Sequence, residues 1–432
     1  MFGRKKETAN LTQQPLNYWE EKSYMMAIVE DENEDVLEGA FERVAKIDGV
    51  QIVAKGMPGE QNPGKIILTY DGEEYEVCFY DGGFSLPPVL RDIERQQYFF
   101  TEEELKRISE AHRAITIFME FHKDSKKSFH LQLKIAIAMV PGMIGLMDES
   151  AEKLINANWV RMAASSKVTP AAGDLYLVQA VQGEKNDVWL HTHGLCRCGL
   201  TELEIVGSNQ ENSNNHYHVI TTLASMLLDK DGKEEKPYRY IGDLQANNPL
   251  VVTYIPWIEG LKEYDKISVG DAKDRAEGHN TKTSLIFSYR TPDDVERRVL
   301  TKISDLDNEW GDNPLLFISN EETDRMRALA MERFYLVKEM AKNRENKIII
   351  KVGLTVDEEY RTDDNFKEHI WFEVNSVDGD KFKATLLQEP YYISNMHEGY
   401  EGEYTVDDVT DWRINAGDRV AGPDTAYVLM YY

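Results

Sequence analysis

The chain is poor in cysteine. Cys78, Cys196 and Cys198 are its only three in 432 residues, too few for a disulfide framework, so stability must come from buried apolar surface and a reducing compartment is expected. It also lacks a long apolar run. The longest, around Ile135 to Met147, is broken at Pro141-Gly142 and falls short of the roughly 20 residues that a membrane helix needs. Arg4, Lys5 and Lys6 are followed by the polar stretch Glu7 to Asn17, where an export signal would place apolar residues. The expectation is a cytoplasmic protein with no membrane association. Positive charge is scarce beside negative: 49 Lys and Arg against 76 Asp and Glu give a formal charge of -27. That field repels phosphate backbones, so no nucleic-acid partner is expected. G-x-S-x-G and H-E-x-x-H are missing too, which removes the common signatures of serine and zinc hydrolases.

What is present describes a globular protein. Hydrophobic residues make up 42% and charged residues 29%, with mean hydropathy of -0.51, and the length exceeds what one core usually organises. The expected class is α+β: two α/β-sandwich-like layers of ferredoxin-like flavour, then a small β-barrel or β-sandwich. The divisions are a polar leader over 1–20, an α+β domain over 21–145, a second over 146–320, a connecting helix and linker over 321–346, and a β domain over 347–432. Within them, strands are expected at 24–29, 50–54, 65–70 and 75–80, the last two joined across Asp71-Gly72. Thr101 and Glu104 form a capping-box pattern for a helix running to about Phe121. Residues 131–140 read as a strand, 149–164 as a helix, 215–228 as a helix, 229–236 as a charged loop, and 295–303 as a strand. Helical spacing predicts one long helix over 321–341. The clearest unit surrounds Asp378-Gly379-Asp380, a hairpin turn between two β-rich segments in which Trp371, like Trp412 further on, is expected to be buried.

The most chemical-looking segment is Trp189-Leu-His-Thr-His-Gly-Leu-Cys-Arg-Cys-Gly199. Residues two apart on a strand share a face, so His191 and His193 can converge on one ion, and Cys196 and Cys198 lie past a possible turn at Gly194. A zinc site on these four residues and a purely structural role are both open, because Cys-x-Cys is tighter than the usual ligand spacing. His216 and His218 fall at a helix start, where i and i+2 point apart, and read as ordinary surface or cap residues. Gly59 to Lys65 fits G-x-x-x-x-G-K, but Ile66 stands where a magnesium-binding hydroxyl belongs, so it reads as a hairpin loop. Asp305, Asp307 and Glu309 hint at a calcium loop whose sixth position, Trp310, is not the required glycine. The pair Glu202 and Glu204 is too common a pattern in this composition to signal glycosidase chemistry.

Glu368-His-Ile-Trp-Phe-Glu-Val374, Gly379-Asp380, Leu387-Gln-Glu-Pro390 and Asp411-Trp412 resemble, in order and spacing, the small YegJ-like bacterial domain of unknown function. The preceding region, with His191-Thr-His-Gly-Leu195 and Glu202-Leu-Glu204, resembles an uncharacterised bacterial family that precedes this domain in one chain. The resemblance implies a two-part architecture and brings no activity. From the acidity, the leading expectation is a non-catalytic module that binds a basic protein, an immunity protein or antitoxin being one form, without a cofactor. Its contact surface is placed at Glu389, Tyr391, Tyr392, Tyr400, Glu401 and Tyr404, where rigid aromatic area lies beside charge. The alternative is a metal-dependent enzyme using His191 and His193, with zinc as the ion. Oligomeric state is left open.

Overall fold

The computed structural model describes residues 21–30, 35–60, 62–93, 96–229, 237–311, 314–362 and 366–432; the polar leader and nearly all of the charged loop after Leu228 lie outside them. Two compact units result. One holds the described residues up to Ala157 together with Ala172–Ser319, and the other holds Asn158–Ala171 with Asn320–Tyr432.

The first unit begins with β1 (Ser23–Val29), α1 (Ala40–Val44), β2 (Val50–Gly56), β3 (Gly64–Tyr70), β4 (Glu73–Gly83), α2 (Glu102–Glu110), β5 (Arg113–Met119), α3 (Ser125–Met139), β6 (Gly145–Asp148) and β7 (Lys153–Asn156). The strands make one antiparallel sheet in the order β2-β3-β4-β5-β1-β6-β7. Asp71 and Gly72 both have positive φ, the geometry that a two-residue hairpin demands. The Thr101–Glu104 capping box forms with both of its bonds. The helix it opens stops at Glu110 rather than near Phe121, because the β-favouring run Ala-Ile-Thr-Ile-Phe-Met enters the sheet between β4 and β1. Residues 131–140, expected as a strand, belong to α3. That helix is buried over most of its surface, so its apolar run carries no amphipathic period, and the Asp124 side chain caps it by accepting from Lys127 N at 3.0 Å.

The unit continues through α4 (Ala157–Ser165), most of which belongs to the second unit, and then β8 (Leu177–Gln182), β9 (Asp187–His193), β10 (Glu202–Asn209), α5 (Ser213–Leu228), β11 (Arg239–Gln245), β12 (Asn248–Pro256), α6 (Trp257–Gly260), β13 (Thr283–Tyr289), α7 (Pro292–Arg297), β14 (Thr301–Lys302) and β15 (Leu315–Leu316). The second sheet runs β15-β11-β12-β13-β10-β9-β8, with β10 and β13 parallel. Two expectations change here. The helix expected over 149–164 starts only at Ala157, after the β6–β7 hairpin. The strand expected over 295–303 is α7 followed by the two-residue β14, since Thr291 caps Asp294 N and Pro292 occupies the first turn. The two sheets are tied by Arg197, in a 3-10 turn after β9. Its guanidinium donates to both Asp148 carboxylate oxygens at 2.7 and 2.8 Å, to Ser23 Oγ at 2.9 Å and to Leu175 O at 2.6 Å. The rings of Phe121 and Phe129 face it at 5.4 and 5.2 Å.

The second unit has α8 (Asn320–Glu332), α9 (Phe334–Met340), β16 (Lys347–Thr355), β17 (Lys367–Asp378), β18 (Lys381–Leu386), β19 (Glu401–Thr405), β20 (Val409–Ala416) and β21 (Arg419–Ala421). Its strands form one antiparallel sheet, β19-β18-β17-β16-β20-β21, against which α8 packs at β20. The molecule is therefore α+β throughout. Gly379 turns the β17–β18 hairpin at positive φ. Trp412 is fully buried, and its indole N–H donates to Ala330 O at 3.0 Å. Trp371 is only half-buried, between Lys351 and Arg413. The single helix expected over 321–341 is two, separated at Arg333, whose side chain is drawn in to donate to Pro423 O.

Candidate metal centre

The site grows from β9. Its alternation sends Trp189, His191 and His193 to one face, where the first two rings lie 4.0 Å apart and the two imidazoles 4.9 Å apart. The neighbouring strands set what surrounds them, for Glu204 of β10 and Gln179 of β8 are both paired with His191 across the sheet. A third ring arrives from a distant loop: His279, just past a 3-10 turn over Ala272–Gly278, lies 5.4 Å from His191 and 5.3 Å from His193. Each of the three offers one ring nitrogen within 4.8 Å of the others.

Two charged residues frame this group. Arg275, on the same 3-10 turn as His279, makes a two-pronged ion pair with buried Glu204 at 2.7 and 2.6 Å and also donates to Gly270 O and Asn280 O. It faces the Trp257 ring at 4.4 Å. Glu152 lies 3.5 Å from His193 Nδ1 and is itself held by Gln179 Nε2 at 3.0 Å. Its backbone φ of 51° is left-handed, a conformation that a glutamate takes at some cost.

Hydrogen bonding sets this centre apart. His191 has no solvent exposure, and neither ring nitrogen has a hydrogen-bond partner among the described residues; His193 Nε2 has none either. Burial drives the pKa of His191 down to about 2, helped by His193, His279 and Arg275. Burial lowers His193 too, against the pull of Glu152. Both rings are therefore neutral at pH 7, with lone pairs available, as imidazole ligands to a borderline metal must be. The donor set fits zinc in type. In spacing, the nitrogens have to close from 4.8 Å to the roughly 3.4 Å edge of a tetrahedron with Zn–N of about 2.05 Å, a movement within the reach of side-chain torsions. With three histidines as ligands, a fourth position is left for a ligand from outside. A cleft of about 680 Å³ adjoins, its wall including His193, Asn280, Glu149, Glu202, Lys22 and Lys282.

Of the four sequence-derived ligands, the structure brings His191 and His193 together and leaves the cysteines in other contacts. Cys196 Sγ lies 3.7 Å from Lys282 O, and Cys198 Sγ 3.7 Å from Gly194 O. Burial and the neighbouring Glu202 carboxylate push the Cys196 thiol up, away from thiolate. Gly194 is required at the turn between the pairs: its φ is 111°, and a Cβ would meet Leu175 O at 2.6 Å. Glu202 fastens that turn by accepting from Thr192 Oγ1 and from the amides of Gly194 and Cys196. Glu202 and Glu204 are thus both structural anchors.

His216 is not the surface or cap residue expected. It is fully buried, 2.7 Å from Ser208 Oγ through Nδ1 and 2.9 Å from Asp307 Oδ1 through Nε2, while His218 is exposed. Of the calcium-like carboxylates, Asp305 is exposed, whereas Asp307 also accepts from Asn209, and Glu309 from Arg290 and Asn248. The Gly59–Lys65 loop joins β2 to β3 as a hairpin. On the expected partner surface, Tyr391 is 81% exposed and Tyr392 40%, Glu389 and Glu401 are exposed and Tyr400 half-buried. Tyr404 is instead a core residue, 7% exposed and packed on Phe372 and Phe382. Sequence reasoning missed His279, Glu152, Arg275 and Asn280, because none shares a local spacing with His191. No described helix is long and apolar enough to cross a membrane.

Neither a curated protein nor a solved structure matches the chain. Three family models do: "Protein of unknown function (DUF4026) N-terminal" over residues 23–170, "Protein of unknown function (DUF4026) C-terminal" over 178–287, and "Uncharacterized protein conserved in bacteria (DUF2314)" over 325–431. The N-terminal sheet falls in the first and the C-terminal sheet in the third, while the histidine-bearing sheet falls in the second as far as β13, with β14 and β15 beyond it. The chain thus belongs to an uncharacterised two-part family in which both DUF4026 regions are followed by DUF2314.

Proposed function

We propose that the first unit binds a divalent transition metal, zinc foremost, through His191, His193 and His279, and acts as a metal-dependent hydrolase in the adjoining cleft. The observation that carries this reading is His191, fully buried and neutral, with two ring nitrogens that meet no partner among the described residues. A buried polar atom left without a partner costs about 1 to 3 kcal/mol, and coordination to an ion removes that cost for one of the two nitrogens. Three histidines with a remaining open position are the ligand pattern of catalytic zinc rather than of closed structural sites. An ion held there supplies Lewis acidity toward a bound carbonyl or phosphoryl oxygen. The chain's own part is to hold it: Glu152 fixes the His193 ring through Nδ1, and Arg275 and Glu204 fix the loop that delivers His279. Protein purified without a histidine tag is expected to carry, or to take up on titration, about one equivalent of zinc, and His191→Ala to lose it. Less than a tenth of an equivalent of any transition metal after zinc titration would remove the reading.

A second reading rests on the other unit. Tyr391 and Tyr392 stand exposed beside Tyr360, with ring centroids 6.3 and 5.6 Å apart in sequence along the cluster, and Glu368 fixes their backbone by accepting from both amides. Rigid aromatic area close to Glu389 in a chain of charge -27 supports docking of a basic protein, in the manner of a cytoplasmic immunity protein or antitoxin. Low-salt affinity purification should enrich a partner of high pI, and Tyr391→Ala should release it. Binding indifferent to both salt and that substitution would set this reading aside.

A further inference from the structure

Resting on the metal reading, we infer that Asn280 is the residue that receives the ligand's oxygen: the centre takes small molecules with a metal-coordinating carboxylate, hydroxamate or similar oxyanion, and Asn280 donates a hydrogen bond to that group. Three observations converge on it. Asn280 follows His279 directly and lines the same cleft as His193. It is 8% exposed, yet its amide nitrogen has no hydrogen-bond partner among the described residues, so a buried donor remains unspent on the residue next to His279. Its backbone is held in the left-handed region at φ 44°, with its carbonyl gripped by Arg275 Nη1 at 2.8 Å. Arg275 is locked in turn on Glu204. A strained residue persists only where its surroundings over-determine it, and such residues gather at sites that bind ligands.

With Glu149 and Glu202 in the cleft wall and Glu152 beside His193, it is the bound ion that draws an anion. Imidazole ligands bring no negative charge to cancel that of a divalent ion, and Arg275 and Glu204 neutralise one another. The cleft's lysines do not compete for the ligand, since Lys282 pairs with Glu21 and Lys22 with Glu120. An incoming oxyanion then meets two complementary groups: the ion, and a donor held in place before binding, the arrangement by which preorganised sites stabilise negative oxygen.

The test uses cobalt(II) in place of zinc, for its visible absorption, and acetohydroxamate as the probe. Wild type, Asn280→Ala and Asn280→Gly are loaded with cobalt and then titrated with acetohydroxamate, following the cobalt bands. Cobalt affinity should be the same in all three, while acetohydroxamate binding weakens about ten- to a hundred-fold in both variants, the loss of one hydrogen bond to a charged acceptor. Asn280→Gly is the decisive variant, because glycine suits the positive φ and cannot fail by strain. If cobalt binds and acetohydroxamate affinity is unchanged in Asn280→Gly, the role given to Asn280 is overturned while the metal site stands. If wild type binds no cobalt, the metal reading falls and this inference with it.

Discussion

Two buried histidines in one unit have met opposite treatment. His191 and His216 are each fully buried, and burial lowers the pKa of each. Around His216 the fold supplies a partner for each ring nitrogen, Ser208 on one side and Asp307 on the other. Around His191 the described residues supply none, and two more histidines come up instead. The sequence was equally able to place hydroxyls and carboxylates at both sites; Glu204 lies directly across the sheet from His191, but is given to Arg275. A fold that satisfies one buried imidazole completely, and gives its counterpart no hydrogen-bond partner among the described residues, supports the metal-binding role proposed for the second. The lesson is that the state of the ring nitrogens, more than burial or pKa, separates a structural histidine from a functional one.

The sharpest way to break this comparison is zinc. At a free concentration about a thousand times its Kd, a metal that binds only the folded protein adds about 4 kcal/mol to stability. That gain is expected in wild type and undiminished in His216→Ala, and it should vanish in His191→Ala. Urea unfolding with zinc and with chelator measures it, and a loss of the gain in both variants would erase the distinction.

Lys153 extends the comparison to a third buried ionisable group, one that donates to Asp174 O at 2.6 Å, to Tyr176 O at 3.2 Å and to Gln97 Oε1 at 3.4 Å. Burial holds its pKa down to about 8 from an ordinary value near 10.4. Between those values the unfolded chain binds more protons than the folded one, so stability rises with pH across the window. Set against Lys153→Met, which has no such titration, wild type should gain about 3 kcal/mol between pH 8 and 10.5. A difference that stays flat over that range would show the ammonium to be well solvated in its place.

With chelator present, His216→Ala should cost about 2 to 3 kcal/mol, since it strands Ser208 and Asp307 and opens a cavity. His191→Leu should cost less than about 1 kcal/mol, because it removes two polar atoms that have no partner among the described residues and keeps most of the volume. Equal costs would mean that His191 is a structural residue after all. The smallest effect belongs to Glu152→Gln, which keeps the side chain's shape but removes the charge behind His193. Zinc affinity should fall about tenfold with little change in metal-free stability, read by competition with a chromophoric chelator.

How far the sequence could be read follows from the range of the signals involved. Asp71-Gly72, the Thr101–Glu104 box and Asp378-Gly379 are local: positive φ or one side-chain bond decides them within four residues, and all three form as expected. The strand face carrying His191 and His193 is local too, through its period of two. The segment around α3 misled because a helix buried on nearly every side has no polar face to betray its period. His279 was invisible for a different reason. It joins the centre through a loop whose course is set by Arg275 reaching Glu204, and such a pairing across tertiary distance leaves no mark on neighbouring residues. Tyr404 was misjudged because it alternates with exposed Glu403 along β19, and an edge strand with few apolar residues reads as solvated.

The clamp of Arg197 on Asp148 bears on descent as much as on stability. The two residues lie in different family regions, one ending at 170 and the next beginning at 178, yet each is buried with the other as its counter-charge. Removing either partner of such a pair strands a charge at a cost of about 3 to 5 kcal/mol. Among relatives these two positions should therefore change together or not at all. The ion pair spans the division between the two regions, so a gene cut there would yield two fragments, each with half of a buried ion pair exposed.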